Sequence, residues 1–449
     1  MQTISPAKEI RGKTILPPNP DLLPLVAATA VASRSSITIA DLPDTPAVAD
    51  TAALFSPRLA AERDGDTLRL SPAESDGQIV LQLTDLYSRG YVVFTLLGAG
   101  ESVRVEGMTD ARLAGWTALA RRARCGLEAE TVDNGTTVLS LTSSVDSAVP
   151  SDGISPDELQ PLIGLAVGKG WRIETTVDYT VATPLRHLLQ GFGYSFEVRG
   201  SERQNDPIAR RIQRMKGKSA KSGPSFTIAA DFTARPSGPV DVSLPGDDIL
   251  GAALLAAKTL VQRGNLVIEN MPLESWATGA LQLIRRMGCS PAIQETGTTS
   301  FGQVGMVQLQ RFNPAGRKVE CTPLYQYAKQ LPSMVVIALF AEGESVFRGL
   351  SELRDDTPDA IGRVVSFLET IGSHHGEVFP DGIVLKGASQ YDGFDVSESL
   401  PAHFAGPWCM AGLKCIGASA VEDAEILRRW PQLGEMLSTI CVPRAKGKA

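Results

Sequence analysis

Cysteine is scarce. The chain has six in 449 residues, at positions 125, 289, 321, 409, 415 and 441, with no CxxC pair and no histidine at zinc-finger spacing among the four it contains. Reduced thiols, no structural metal and no cofactor are therefore expected. Long apolar runs are missing as well: the longest, Leu22 to Ala32, is too short to cross a bilayer and is interrupted by Pro24. The polar opening Met1-Gln2-Thr3-Ile4-Ser5 lacks the charged and greasy regions of a secretory signal, so the expected location is cytoplasmic. Positive charge is in deficit. A net charge of -7 and a pI near 5.4 argue against broad nucleic-acid binding. No GxGxxG opens a βαβ unit at the N-terminal end, and Gly98-Ala-Gly100 alone is a weak phosphate-loop signal. That lack also discounts the Tyr325 to Lys329 spacing as a dehydrogenase pair.

What is present is a repeat. With 43% apolar residues, 42 Gly and 29 Pro, the chain can bury several cores in more than one domain. A unit of apolar helix, small-residue turn and β-rich segment recurs along it. The units read Asp21–Ala32 into Ser36–Ala40, Asp85–Leu97 into Ser102–Glu106, and Asp157–Trp171 into Trp171–Val177. They continue as Asp248–Arg263 into Gly264–Asn270, Tyr327–Ala341 into Gly343–Gly349, and Ala402–Cys415 into Ala418–Glu422. A second helix ending on glycine follows most of these strands: Trp116–Arg124, Leu185–Phe192, Thr278–Met287 and Ile361–Ile371. Helices this apolar suggest layers with helices inside and sheets outside.

Between the third and fourth units, Gly200 to Ser222 carries seven cations (Arg203, Arg210, Arg211, Arg214, Lys216, Lys218 and Lys221) against Glu202 and Asp206. It reads as an exposed, mobile basic segment, without aromatic residues that would stack on bases. Asp247 and Asp248 precede an Ala-rich helix and read as N-cap residues, as does Ser155 before its own helix. The pair His374-His375 has no ligand-type neighbour at metal spacing and reads as exposed.

The segment Leu244-Pro-Gly-Asp-Asp248 followed by Gly251-Ala-Ala-Leu-Leu-Ala-Ala257 resembles the enolpyruvyl transferase family, and within it the enolpyruvylshikimate phosphate synthase branch. Ala338–Gly343, Phe379–Val384, Glu422–Glu425 and Trp430-Pro431 follow in the family's order and spacing. The resemblance covers nearly the whole chain, more weakly before residue 150. It implies an α/β fold, a two-lobed inside-out α/β barrel of six βαβαββ repeats, three per lobe. One lobe would hold residues 17–239; the other, residues 1–16 and 240–449. It also implies a small anionic metabolite, a carboxylate or phosphate ester, held where helix N-termini offer free N–H groups. Oligomeric state is not implied.

Enolpyruvyl transfer needs cations to hold phosphate and carboxylates, and acids and bases to move protons. Carried over position by position, most of the family's set is replaced. The opening Pro-Gly-Ser-Lys-Ser falls on Pro17-Pro18-Asn19-Pro20-Asp21, with Leu25 at a following Arg. Arg89 keeps an Arg, Arg112 keeps the Arg of an Arg-Pro pair, and Ser155-Pro156-Asp157 keeps one hydroxyl of a phosphate-binding Ser-Ser-Gln. In the second half, the catalytic Asp falls on or near Lys329, a Lys-Glu pair on Asp356-Thr357, and the next Arg on Ala360. Asp-His-Arg survives as Ala402-His403-Phe404, and a late Lys becomes Arg428 or Arg429. The resemblance thus assigns His403 and Lys329 as catalytic candidates, and Arg89, Arg112, Ser155, Asp356 and Arg428 as substrate-binding ones. It implies a divergent enzyme of carboxyvinyl transfer or a related addition–elimination, the alternative being a catalytically silent relative that binds a ligand or protein partner.

Overall fold

The computed structural model describes residues 1–449 except 74, 76, 83–85, 133–135, 144–153, 178–180, 182, 201–225, 235, 237, 311–312, 322–327, 355–359, 374–375 and 445–449, with backbone alone at 82, 86–89, 143, 157, 352, 354 and 376. Asp356, Tyr325, the His374-His375 pair and the basic segment beyond Gly200 therefore lie outside the described residues. The fold is α/β, with mixed sheets of short strands. None of the described helices is long and apolar enough to cross a membrane.

The chain forms two compact units. One comprises Met1–Pro20, Asp41–Ala49 and Leu244–Ala449; the other, Asp21–Ala40 and Asp50–Ser243. The second unit is built on helices Leu23–Ser33, Leu86–Gly98 and Pro156–Lys169, which pack on one another. Their contact surfaces are apolar, and small residues bring the backbones together. A Cβ added at Gly164 would lie 2.4 Å from the Tyr91 carbonyl, and one at Gly168 would lie 2.4 Å from that of Thr95. The hydroxyls inside bond backward along their own helices, Thr29 to Leu25 O and Thr95 to Tyr91 O, and the Thr29 and Tyr91 hydroxyls meet at 2.8 Å. These hydroxyls are thus satisfied inside the helical core, whereas Gln160 Oε1 on the third helix is buried without a partner among the described residues.

The first unit repeats the plan with helices Asp248–Leu260, Leu331–Leu339 and Ala402–Gly412, also in mutual contact. Every residue of the first two is buried, and so is every residue of the third except His403. A helix apolar on all sides has no solvent face, which is what the sequence pattern required. Asp248 and Lys258 are the charged residues within them: the Lys258 ammonium donates to the carbonyls of Val261 and Gln262 and so closes the helix C-terminus, while burial pushes its pKa down.

Sheets of three or four strands accompany these helices. In the second unit the strand orders begin with Val240–Val242, Ile37–Ile39, Thr67–Pro72 and Leu59–Asp64, then Ile79–Gln82, Val103–Glu106, Thr136–Ser143 and Cys125–Val132. In both, the first pair is parallel and the others antiparallel. The first unit recruits the start of the chain three times. Gln2–Ile4 pairs with Ser419–Val421, Ala7–Ile10 with Cys441–Pro443, and Gly12–Ile15 runs parallel to Leu266–Pro272.

Glycine ends the helices as the pattern suggested at Gly193, Gly288 and Gly372, all at positive φ. One case differs. The helix expected to stop before Gly126 runs Asp110–Arg122, begun by the Thr109 side chain accepting from Arg112 N, and the left-handed residue after it is Arg124 at φ 55°. Gly126 instead admits the neighbouring strand, since a Cβ there would meet the Thr142 hydroxyl.

Candidate functional site

In the first unit a buried polar network lies where helices Asp248–Leu260 and Leu331–Leu339 begin. Asp247 caps the first helix, accepting from Ile249 N at 3.0 Å and Leu250 N at 3.1 Å. Its other oxygen accepts from Arg429 Nε at 2.8 Å and from the Trp430 indole at 2.8 Å. The Asp247 carboxylate is fully buried and the Arg429 side chain is 13% exposed, so this is a desolvated ion pair with four donors converging on one carboxylate. Gly246, just before Asp247, packs against strand Leu266–Pro272, where a Cβ would meet the Asn270 carbonyl.

Asp248 does not cap. It accepts from Asn19 Nδ2 at 2.7 Å and from Gln330 Nε2 at 2.7 Å. Asn19 in turn accepts from Arg429 Nη2 at 3.2 Å, and Gln330 accepts from Ala280 N at 2.9 Å while donating to Ala277 O. The network joins residue 19 to residue 429 and orients the backbone beside Lys329, which lies half-buried in the short turn Ala328–Gln330.

The candidates of this unit divide. His403 stands half-buried in the first turn of Ala402–Gly412, its ring 4.5 Å from that of Phe404. A Cβ at Gly406, on the same helix, would touch the Trp430 ring, so this helix begins close to the Asp247 network as well. Arg428 points outward, its side chain 49% exposed and 3.9 Å from Glu425. Its neighbour Arg429 is the one drawn inward. Of the two positions that the Lys-to-Arg reading allowed, helix Ala424–Arg429 turns Arg429 to the core and Arg428 to the surface.

In the second unit Ser155 caps helix Pro156–Lys169 in a capping box. Glu158 Oε2 accepts from Ser155 N at 2.9 Å and from the Ser155 hydroxyl at 2.9 Å, and its other oxygen accepts from Arg122 at 2.7 Å. A carboxylate of the chain itself therefore meets the hydroxyl that the sequence marked for an anion. Arg112 is half-buried in the first turn of Asp110–Arg122, its own N–H held by Thr109. Arg89 lies in the first turn of Leu86–Gly98, described in backbone only. Asp247 was legible from Pro-Gly-Asp ahead of an Ala-rich helix. Asn19, Gln330 and Glu158 were not singled out, although the spacing from Ser155 to Glu158 is a capping-box signature that the sequence displays. No group of metal-ligating side chains occurs among the described residues.

Comparison with known structures identifies the class. The fold matches EPSP synthase from Acinetobacter baumannii over 98% of both chains, at TM-score 0.69 and 15% identity, and the enolpyruvyl transferase NikO from Streptomyces tendae over 98% of both, at TM-score 0.67 and 15% identity. This is an enolpyruvyl transferase fold. The sequence model for EPSP synthase (3-phosphoshikimate 1-carboxyvinyltransferase) matches residues 201–427, and the chain belongs to that family. Similar proteins named 3-phosphoshikimate 1-carboxyvinyltransferase include one from Desulfitobacterium hafniense (strain DSM 10664 / DCB-2), 25% identical over 56% of this chain and 52% of its own, and one from Acaryochloris marina (strain MBIC 11017), 27% identical over 41% of each. The matched stretch spans about half the length of these relatives, or less.

Proposed function

We propose that this protein is a divergent enolpyruvyl-transferase-fold enzyme that acts on a small anionic metabolite by carboxyvinyl transfer or a related addition–elimination, and that it does not join phosphoenolpyruvate to shikimate 3-phosphate. The observation that carries this reading is Glu158. Its carboxylate accepts both the amide and the hydroxyl of Ser155 and is neutralised by Arg122, so a phosphate arriving at that helix start would have to displace an internal anion. Lost cations at Pro20, Leu25, Ala360 and Phe404 support it. Each charge-assisted contact to a desolvated anion is worth roughly 2–5 kcal/mol, and several together exceed the free energy of micromolar binding.

His403 and Lys329 remain the acid–base candidates, with Arg89, Arg112, Ser155, Asp356 and Arg428 as ligand-contact candidates; a half-buried histidine at a helix start suits proton transfer. The test is phosphate release with the standard pair, alongside thermal melts in a panel of carboxylates and phosphate esters. No turnover of the pair, with stabilisation by another anion that is then consumed in a His403-dependent reaction, is expected. Turnover of the pair at ordinary enzyme rates overturns the reading. The pairing of Arg429 with Asp247 favours a second reading, a silent ligand-binding relative, and stabilisation without consumption of any panel member selects it.

A further inference from the structure

Arg363 lies outside the set of positions that the family resemblance assigns to the site. It is the fourth residue of helix Ala360–Thr370, and its side chain is 20% exposed. The guanidinium carbon lies 5.9 Å from the centre of the Phe404 ring, and Phe404 is itself 2% exposed and rests against His403. Its hydrogen bond among the described residues is one contact of 3.4 Å from Nη1 to Glu398 Oε1, a carboxylate whose side chain is 65% exposed.

A guanidinium has five N–H donors in a fixed plane. Here an aromatic ring supports its face and one long bond to a solvated carboxylate engages its edge; most of the side chain is buried, but the nitrogens that make no bond stay open to solvent. The donors that the protein does not use are therefore held in place by the ring and open to a further acceptor. Ring support also limits the orientations of the plane, so less freedom is lost when an oxyanion docks on its edge. Ala360 and Phe404, the two nearest positions counted above as vacated cations, lie one turn before Arg363 and beneath its guanidinium.

We infer that Arg363 is a ligand-binding residue of this chain: it takes an oxyanion, carboxylate or phosphate, of the small metabolite beside His403, and Glu398 competes with that ligand as an internal counter-ion. The inference rests on the proposed anionic ligand and names the cation that would receive it.

The experiment is calorimetric titration of the full-length protein with phosphoenolpyruvate, which carries both groups, and with pyruvate and inorganic phosphate, which separate them. Binding of phosphoenolpyruvate by the unaltered protein is expected, weakened roughly tenfold or more in Arg363→Met, with Arg363→Lys between the two, because a charge-assisted contact is removed or made less directional. Glu398→Gln leaves Arg363 in place and should tighten binding a few-fold, the size appropriate to removing an exposed competitor. A purely structural role for Arg363 does not produce that gain. Equal affinity in Arg363→Met, or no tightening in Glu398→Gln, overturns the inference while leaving the anionic-ligand reading intact. Absence of binding of all three probes to the unaltered protein overturns the inference as well, and the melts in the wider panel of anions then decide the anionic-ligand reading separately.

Discussion

At the scale of single residues, the main feature is how much charge is satisfied internally. Asp247 holds Arg429, the Trp430 indole and two helix amides at once. Replacing Asp247 by Ala leaves a largely buried guanidinium without its carboxylate and removes a helix cap. A loss of about 3–5 kcal/mol is expected, read as a lower urea midpoint, whereas the double change Asp247→Ala with Arg429→Met should recover a large part of it. Full additivity of the two single changes would show that the pair is not coupled. The thiols make a second residue-scale case. Burial pushes Cys321, Cys409 and Cys415 up to about 12 from an ordinary value of 9.0. A raised pKa in the folded state means that the unfolded chain releases these protons first. The stabilisation is complete below about pH 9 and is lost as pH rises toward 12, on the order of 1 kcal/mol per thiol per pH unit. Urea midpoints between pH 8 and 11 should fall along that window, and the fall should diminish in Cys409→Ala. A stability curve flat to pH 11 would contradict it.

At the scale of elements, the six apolar helices were legible because a helix with no polar face has to be enclosed. Their spacing from the following strands was legible from small-residue turns. What sequence did not show was how closely the helices approach. Gly164 and Gly168 sit against the carbonyls of Tyr91 and Thr95 on Leu86–Gly98, so alanine at either position must push two helices apart. We expect a loss of about 1–3 kcal/mol for each by chemical denaturation. Gly115, in helix Asp110–Arg122, is the control: nothing lies within 4 Å of a Cβ there, it is exposed, and alanine should raise stability by roughly 0.5–1 kcal/mol through helix propensity alone. Destabilisation by Gly115→Ala equal to that of Gly164→Ala would remove the argument from close packing.

At the scale of the whole molecule, strand pairing binds the beginning of the chain to its second half. Residues Gln2–Ile4, Ala7–Ile10 and Gly12–Ile15 each complete a different sheet of the unit containing Leu244–Ala449. Deleting residues 1–16 should therefore expose three strand edges together and abolish cooperative melting of that unit, and a synthetic 1–20 peptide should restore it in part; a deletion variant that melts as sharply as the full chain would refute this. The sequence by itself determined the recurring apolar helices, because composition and local periodicity act over a few residues, and it carried the motifs of the family resemblance, which implied the α/β class. His403, Asp247 and Ser155 were visible because each stands at a helix start marked by its neighbours, whereas Lys329 came from the family resemblance alone. Only the tertiary structure decided that Arg429 rather than Arg428 turns inward, that Asn19 reaches Asp248 across 229 positions, that Glu158 occupies the Ser155 hydroxyl, and that Arg363 lies on Phe404. Those pairings bring together groups remote in sequence or choose between adjacent side chains, and that choice is made by packing, which no local pattern encodes.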